Sequence, residues 1–100
     1  MTLEEVKYQM ALGTMTREML IEMTYYQMDT DSRILEYLAK ELPEKDNWFI
    51  FLNIARHPNT PLEILKDLIG RPGLDLITSV AVGNNYSQKL KEQNGTRTRR

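Results

Sequence analysis

Few side chains in this sequence have the type and spacing that chemistry requires. The one histidine, His57, precedes Pro58 at the predicted end of a helix, where the helix dipole favours a partly positive ring. The chain contains no cysteine, and no serine motif accompanies the histidine, so the sequence shows no recognisable nucleophile–base arrangement. We therefore predict that His57 has a capping or turn role rather than that of a catalytic base.

Acidic residues stand close together at two places that are typical of helix ends. Asp29 with Asp31, and Glu41 with Glu44, are better explained as caps and solvated charge than as a general-acid pair. We find no metal-ligand spacing, no glycine-rich phosphate loop and no nucleophile elbow. The sequence therefore predicts no catalytic residue, no cofactor and no metal site, and we expect a protein that is not an enzyme.

The composition is that of an ordinary globular chain. Its 100 residues suit one small domain, with 41% apolar residues, 27% charged residues and a formal net charge of −1. No apolar run approaches the roughly 18 residues of a membrane span, and residues 1–5 are acidic where a signal peptide is basic. With no cysteine to form disulfides, we expect a cytoplasmic protein without a membrane segment.

The charges are unevenly distributed along the chain. Residues 1–75 carry 13 acidic and 8 basic side chains, whereas residues 76–100 carry 1 acidic and 5 basic ones. We predict a single helical domain over residues 1–92 and a disordered basic tail over residues 93–100. A solubilising role for the tail is the interpretation we favour. The alternative is a nucleic-acid-associated protein whose helix-turn-helix-like unit is assisted by salt-sensitive phosphate contacts from Lys89, Lys91, Arg97, Arg99 and Arg100.

Helix start and stop signals divide the chain into seven short segments. The predicted helices run from Thr2 to about Ala11, from Thr16 to about Met28, from Arg33 to Leu42, from Trp48 to about Arg56, from Thr60 to Ile69, from Leu76 to Val82 and from Tyr86 to Glu92. Gly83-Asn84-Asn85 is expected to separate the last two. The helix that begins at Trp48 is apolar except for Asn53, so it must be covered on more than one side. A buried strand over Trp48–Leu52 is the competing interpretation.

The most complete helix start lies at Thr60. Its hydroxyl can accept a hydrogen bond from the N–H of Glu63, and the Glu63 carboxylate can accept one from the N–H of Thr60. Pro61 occupies the first helical position, and Gly70 is placed to end the helix in a left-handed conformation. The apolar stripe of this helix is formed by Leu62, Leu65, Leu68 and Ile69.

Parts of this unit recur elsewhere in the chain. Segments 53–59 and 79–85 each end a helix in a small apolar pair, break at a Pro, Gly or Asn turn and restart. The stretch from Ile54 to Leu68 resembles the variant leucine-rich repeat, most clearly over residues 54–85. The resemblance implies short helices that alternate in a right-handed solenoid and serve as a binding scaffold. The founding type of that family holds an iron–sulfur cluster with cysteines, which this chain lacks, so no cluster is carried over.

We therefore predict an all-α fold of five to seven short helices, stacked as an irregular solenoid. The predicted function is that of a non-catalytic protein-binding module, such as a small adaptor, regulator or inhibitor. Tyr25 and Tyr26 are adjacent, so a helix cannot turn both inward, and Trp48 and Phe49 begin the apolar helix. We predict that these four aromatic residues bind another protein or a second copy of the chain. The six methionines, all within residues 1–28, are interpreted as core filling.

Overall fold

The computed structural model describes residues 1–74 and 76–98, the last six by their backbone alone, and contains six helices and no strand in those residues. The helices are α1 (Leu3–Leu12), α2 (Arg17–Ile21), α3 (Ser32–Glu41), α4 (Trp48–Arg56), α5 (Leu62–Ile69) and α6 (Leu76–Thr98). A π-helical segment, Glu22–Tyr26, continues α2. The all-α class is therefore confirmed, and the strand considered for Trp48–Leu52 is wrong.

The first two helices begin where the sequence predicts, because Thr2 and Thr16 cap them. The Thr2 hydroxyl accepts a hydrogen bond from the N–H of Glu5 at 3.1 Å, and the Glu5 carboxylate accepts one from the N–H of Thr2 at 2.7 Å. Gly13 ends α1 in the left-handed region, with φ of +74°. The Thr16 hydroxyl accepts a hydrogen bond from the N–H of Met19 at 3.1 Å and so begins α2.

The capping box predicted at Thr60 is wrong. Thr60 is fully buried, and its hydroxyl donates to the carbonyl oxygen of Ile54 at 2.6 Å instead of accepting from Glu63. The Ile54 carbonyl lies in the last turn of α4, and the residue four positions later is Pro58, which has no N–H to donate. The Thr60 hydroxyl supplies the hydrogen bond instead. Pro61 is the N-cap of α5 and has no side-chain cap. The left-handed stop at Gly70 is also wrong, since its φ is −98°.

The stop predicted at Gly83-Asn84-Asn85 is wrong as well, because α6 runs through it without a break. A glycine inside a helix costs only about 1 kcal/mol relative to alanine, and burial of Val82 on the inner side of α6 outweighs that cost. The backbone of residues 93–98 continues α6, whereas Arg99 and Arg100 lie outside the described residues. The basic tail over residues 93–100 stays a prediction.

Helix α4 is the centre of the core. Its residues from Ile50 to Ala55 are all buried, and α4 contacts α2, the π-helical segment, α3 and α6. The expectation that this nearly all-apolar helix is covered on more than one side is confirmed. Helix α6 also packs on α5, so it contributes Val82 to the same core.

Three helical segments lie side by side in the same direction: α2 with its π-helical continuation, α4 and α6. Hydrogen bonds across them join Arg17 to Asp46, Thr24 to Asn53, Gln27 to His57, Ala55 to Asn85 and Pro58 to Lys89. From one of these hydrogen bonds to the next, the residue numbers rise on both segments, so neighbouring segments are parallel. Helices α3 and α5 connect the end of one segment to the start of the next. We call this arrangement the helix row. Within the described residues, no helix has the length and apolarity needed to cross a membrane.

Candidate protein-binding surface

A buried hydrogen-bond chain joins the first two members of the helix row. The Thr24 hydroxyl donates to the carbonyl oxygen of Leu20 at 2.7 Å and accepts a hydrogen bond from the Asn53 amide at 3.3 Å. Thr24 and Asn53 are 2% and 3% exposed, so this contact is made away from water. The one internal polar residue of α4 therefore has a structural partner, and it fixes how the π-helical segment lies on α4.

His57 is the C-cap of α4 and is almost fully buried. Its Nδ1 accepts a hydrogen bond from the backbone N–H of Asn59 at 3.0 Å, so the ring proton must be on Nε2. That Nε2–H donates to the carbonyl oxygen of Gln27 at 2.7 Å. The ring thus forms the turn after α4 and holds the end of the π-helical segment beside it, as the predicted turn role requires.

Two asparagines make equivalent contacts along the row. The side-chain amide of Asn59 donates to the carbonyl oxygens of Met28 and Thr30, at 3.2 and 3.0 Å. The amide of Asn85 donates to the carbonyl oxygens of Ala55 and His57, at 2.8 and 3.3 Å. Each amide therefore joins two carbonyls that are two residues apart, near the end of the preceding member of the row.

The structure separates the four predicted aromatic residues into two pairs. The rings of Tyr25 and Tyr26 meet edge to face at 4.9 Å, and those of Trp48 and Phe49 at 5.6 Å. All four are exposed, including both tyrosines of the π-helical segment. Tyr25 lies beside Arg56 at the end of α4, whereas Trp48 begins that helix. The two pairs are thus separated by about 12 Å along α4.

Tyr25 belongs to a larger surface on the helix row. A small cavity of about 100 Å³ is lined by Tyr25, Met28 and Arg56, among others, and a groove of about 580 Å³ follows α6 from Leu76 to Gln88. Arg56 lines both, so we treat the two cavities together as one surface. We call it the row surface and define it by Tyr25, Met28, Arg56, Leu76, Ile77 and Val80.

The apolar part of the row surface was not identified from the sequence. Leu76, Ile77 and Val80 are 77%, 60% and 53% exposed, while Thr78 and Val82 of the same helix are fully buried. The sequence signal is the helical spacing of two apolar sets within residues 76–82. Which of the two sets is buried depends on the side of α6 that packs on α4 and α5, and the sequence does not specify that side.

Arg56 is the one cation of the row surface and makes no ion pair with any other described residue. The ion pairs in the described part of the chain join Asp31 to Arg33, Glu36 to Lys40 and Glu44 to Arg71. Arg71 is occupied by the fold, since it donates to the carbonyl oxygen of Ala39 at 2.7 Å and lies over the Phe51 ring. The row surface therefore combines an available guanidinium with exposed apolar side chains.

The residues predicted for nucleic acid contact do not form one described patch. Lys89 donates to the carbonyl oxygen of Pro58 at 2.7 Å, which ties it to the turn after α4. Lys91 is exposed. The side chain of Arg97 and all of Arg99 and Arg100 lie outside the described residues. The phosphate-binding role of this set stays a prediction.

The described residues contain no group of three or more histidine and acidic side chains that could hold a metal ion. Comparisons of the chain with protein-family models, with curated proteins and with solved structures find no match.

Proposed function

We propose that the chain is a non-catalytic protein-binding module, a small adaptor, regulator or inhibitor, that binds its partner through the row surface. The observation that carries this proposal is that three strongly exposed aliphatic side chains and Tyr25 line two cavities that share Arg56, which has no ion pair among the described residues. Exposed apolar patches of this kind mark interaction sites, and Tyr and Arg are enriched among the residues that dominate binding energy.

The rigidity of the underlying row supports the same function. The hydrogen bonds of Asn53, His57, Asn59 and Asn85 hold the three parallel segments in register beneath the exposed side chains. A surface that is already ordered loses less conformational entropy when a partner binds, so more of the contact energy appears as affinity.

We also propose that the row is a short helical repeat of the variant leucine-rich type, stacked as an irregular solenoid. Thr30 and Thr60 use their hydroxyls in the same way 30 residues apart, and Asn59 and Asn85 use their amides in the same way 26 residues apart. Recurrent contacts of this kind are expected when similar units stack, and stacked units form extended binding surfaces.

Site-specific photo-crosslinking in the native cell tests the binding role. The variants are Val80→benzoylphenylalanine on the row surface and Leu12→benzoylphenylalanine on α1 as the matched control, since these side chains are 53% and 57% exposed. We expect position 80 to crosslink one dominant protein, either a foreign partner or a second copy of the chain, that position 12 does not. Equal crosslinking from both positions, or none from position 80, would contradict the proposed binding surface.

A further inference from the structure

A second surface lies on the first member of the helix row. A depression of about 380 Å³ is lined by Met1, Met19 and Met23 together with Glu18, Glu22 and Gln27, and we call it the acidic face. Neither Glu18 nor Glu22 has an ion pair among the described residues. Met23 is buried, Met19 is partly exposed and Met1 is half exposed, so the core-filling interpretation is confirmed for Met23 and is wrong for Met1, and also for the exposed Met28. The acidic face therefore combines methionine side chains with two carboxylates that have no ion pair among the described residues.

We infer that the row surface binds the acidic face of a second copy of this chain, so that copies associate head to tail. The row surface offers aliphatic side chains around one guanidinium, and the acidic face offers methionines beside two carboxylates; none of these three charged groups has an ion pair among the described residues. The charges are opposite, and both contacts are largely apolar. Flexible thioethers adapt readily to the aliphatic side chains of α6.

Within one molecule, the part of the row surface on α6 is separated from the acidic face by α4, since α4 contacts both α2 and α6. When two different surfaces of the same chain bind each other, a dimer still has one unoccupied copy of each surface. Further copies can therefore add, and a series of oligomers is expected.

The expected association is weak. Small, partly polar interfaces form transient complexes, and dissociation constants from roughly micromolar to millimolar suit such a contact. The inference rests on the proposed function in one respect only, namely that the row surface is a binding surface. It differs in committing that surface to the chain itself.

Charge exchange tests the contact directly. Sedimentation velocity of the full chain over a range of concentrations would compare the wild type with Arg56→Glu, with Glu18→Lys/Glu22→Lys and with all three changes combined. Each reversal places like charges together and should weaken association about tenfold or more. The combined variant restores opposite charges and should associate within about threefold of the wild type. Leu12→Glu, outside both surfaces, is the control that should leave association unchanged.

A wild type that stays monomeric at every concentration would overturn the inference, as would reversals that have no effect or a combined variant that fails to recover. These outcomes are distinguishable from failure of the proposed function. A monomeric chain whose position 80 crosslinks a foreign protein would refute self-association and leave the binding role standing. A chain that passes the charge exchange and crosslinks only itself at position 80 would support self-association and refute a foreign partner.

Discussion

Thr30 and Thr60, 30 residues apart, make the same buried contact. Each hydroxyl donates at 2.6 Å to a carbonyl oxygen near the end of the preceding helical segment, Thr30 to Met23 and Thr60 to Ile54. Each threonine also lies one residue before the N-cap of the next helix. The two hydroxyls therefore close the corners at which the chain leaves the helix row.

Replacing Thr60 by valine should lower the free energy of unfolding by about 1–2 kcal/mol, because the buried hydrogen bond to Ile54 is lost while the shape is kept. Thr60→Ser keeps the hydroxyl and should retain most of the stability. Urea unfolding followed by circular dichroism measures both. Glu63→Ala separates this contact from the capping box suggested by the sequence, and we expect it to change stability by less than about 0.5 kcal/mol. A larger cost for Glu63→Ala than for Thr60→Val would show that the capping box forms.

Replacing Gly83 by alanine should stabilise the chain by about 0.5–1 kcal/mol, since α6 is continuous there and no atom lies within 4 Å of the added Cβ. Gly13→Ala is the matched control. It also meets open space, but its φ of +74° strains an alanine, and we expect a loss of about 1 kcal/mol. Thermal unfolding of both variants provides the comparison, and destabilisation by Gly83→Ala would indicate a turn at this position.

Replacing His57 by alanine should cost roughly 2–3 kcal/mol, because it removes a buried ring together with its hydrogen bonds to Gln27 and Asn59. The ¹⁵N chemical shifts of the imidazole test the contact independently of stability. We expect a neutral ring with its proton on Nε2. A proton on Nδ1 would contradict the hydrogen bond from Asn59.

The stability that Asp31 contributes at the N-terminus of α3 depends on pH. The hydrogen bonds that Arg33 donates hold the pKa of the Asp31 carboxyl below its ordinary value. A carboxyl whose pKa is lowered by folding contributes stability above its unfolded pKa of about 4, and that contribution is lost as the pH falls through the folded pKa. Asp31→Asn keeps an N-cap but not the charge. Between neutral pH and about pH 3, the urea midpoint should fall less for Asp31→Asn than for the wild type. Equal falls would show that Asp31 does not contribute to the pH dependence of stability.

Capping patterns in the sequence predicted the helix starts correctly only where the capping hydroxyl is exposed, so that water is its only alternative hydrogen-bond partner. Thr2 and Thr16 are exposed, so their hydroxyls have no better use than to cap the helix that follows them. Thr60 shows the same pattern with Glu63, but it is buried beside a carbonyl six residues earlier in the chain. A sequence pattern that spans four residues does not include that carbonyl. The tertiary contact with Ile54 therefore determines the role of the Thr60 hydroxyl.

The candidate site depends even more on contacts distant in sequence. The exposure of Tyr25 and Tyr26 could be expected because they are adjacent, and both are exposed. That Tyr25 and Arg56 line one cavity, and that Arg56 and Val80 line another, follows from hydrogen bonds that join residues about 30 apart. The spacing of apolar residues shows that α6 has two faces, but not which of them α4 covers.

The affinity of the crosslinked partner for two charged variants tests the row surface most directly. Val80→Glu and Leu12→Glu add the same charge at similarly exposed aliphatic positions, so their effects on solubility and net charge are matched. If the row surface binds the partner, calorimetric titration should show at least about a tenfold rise in Kd for Val80→Glu and no change for Leu12→Glu. Unchanged affinity for Val80→Glu, or equal losses for both variants, would contradict binding at the row surface.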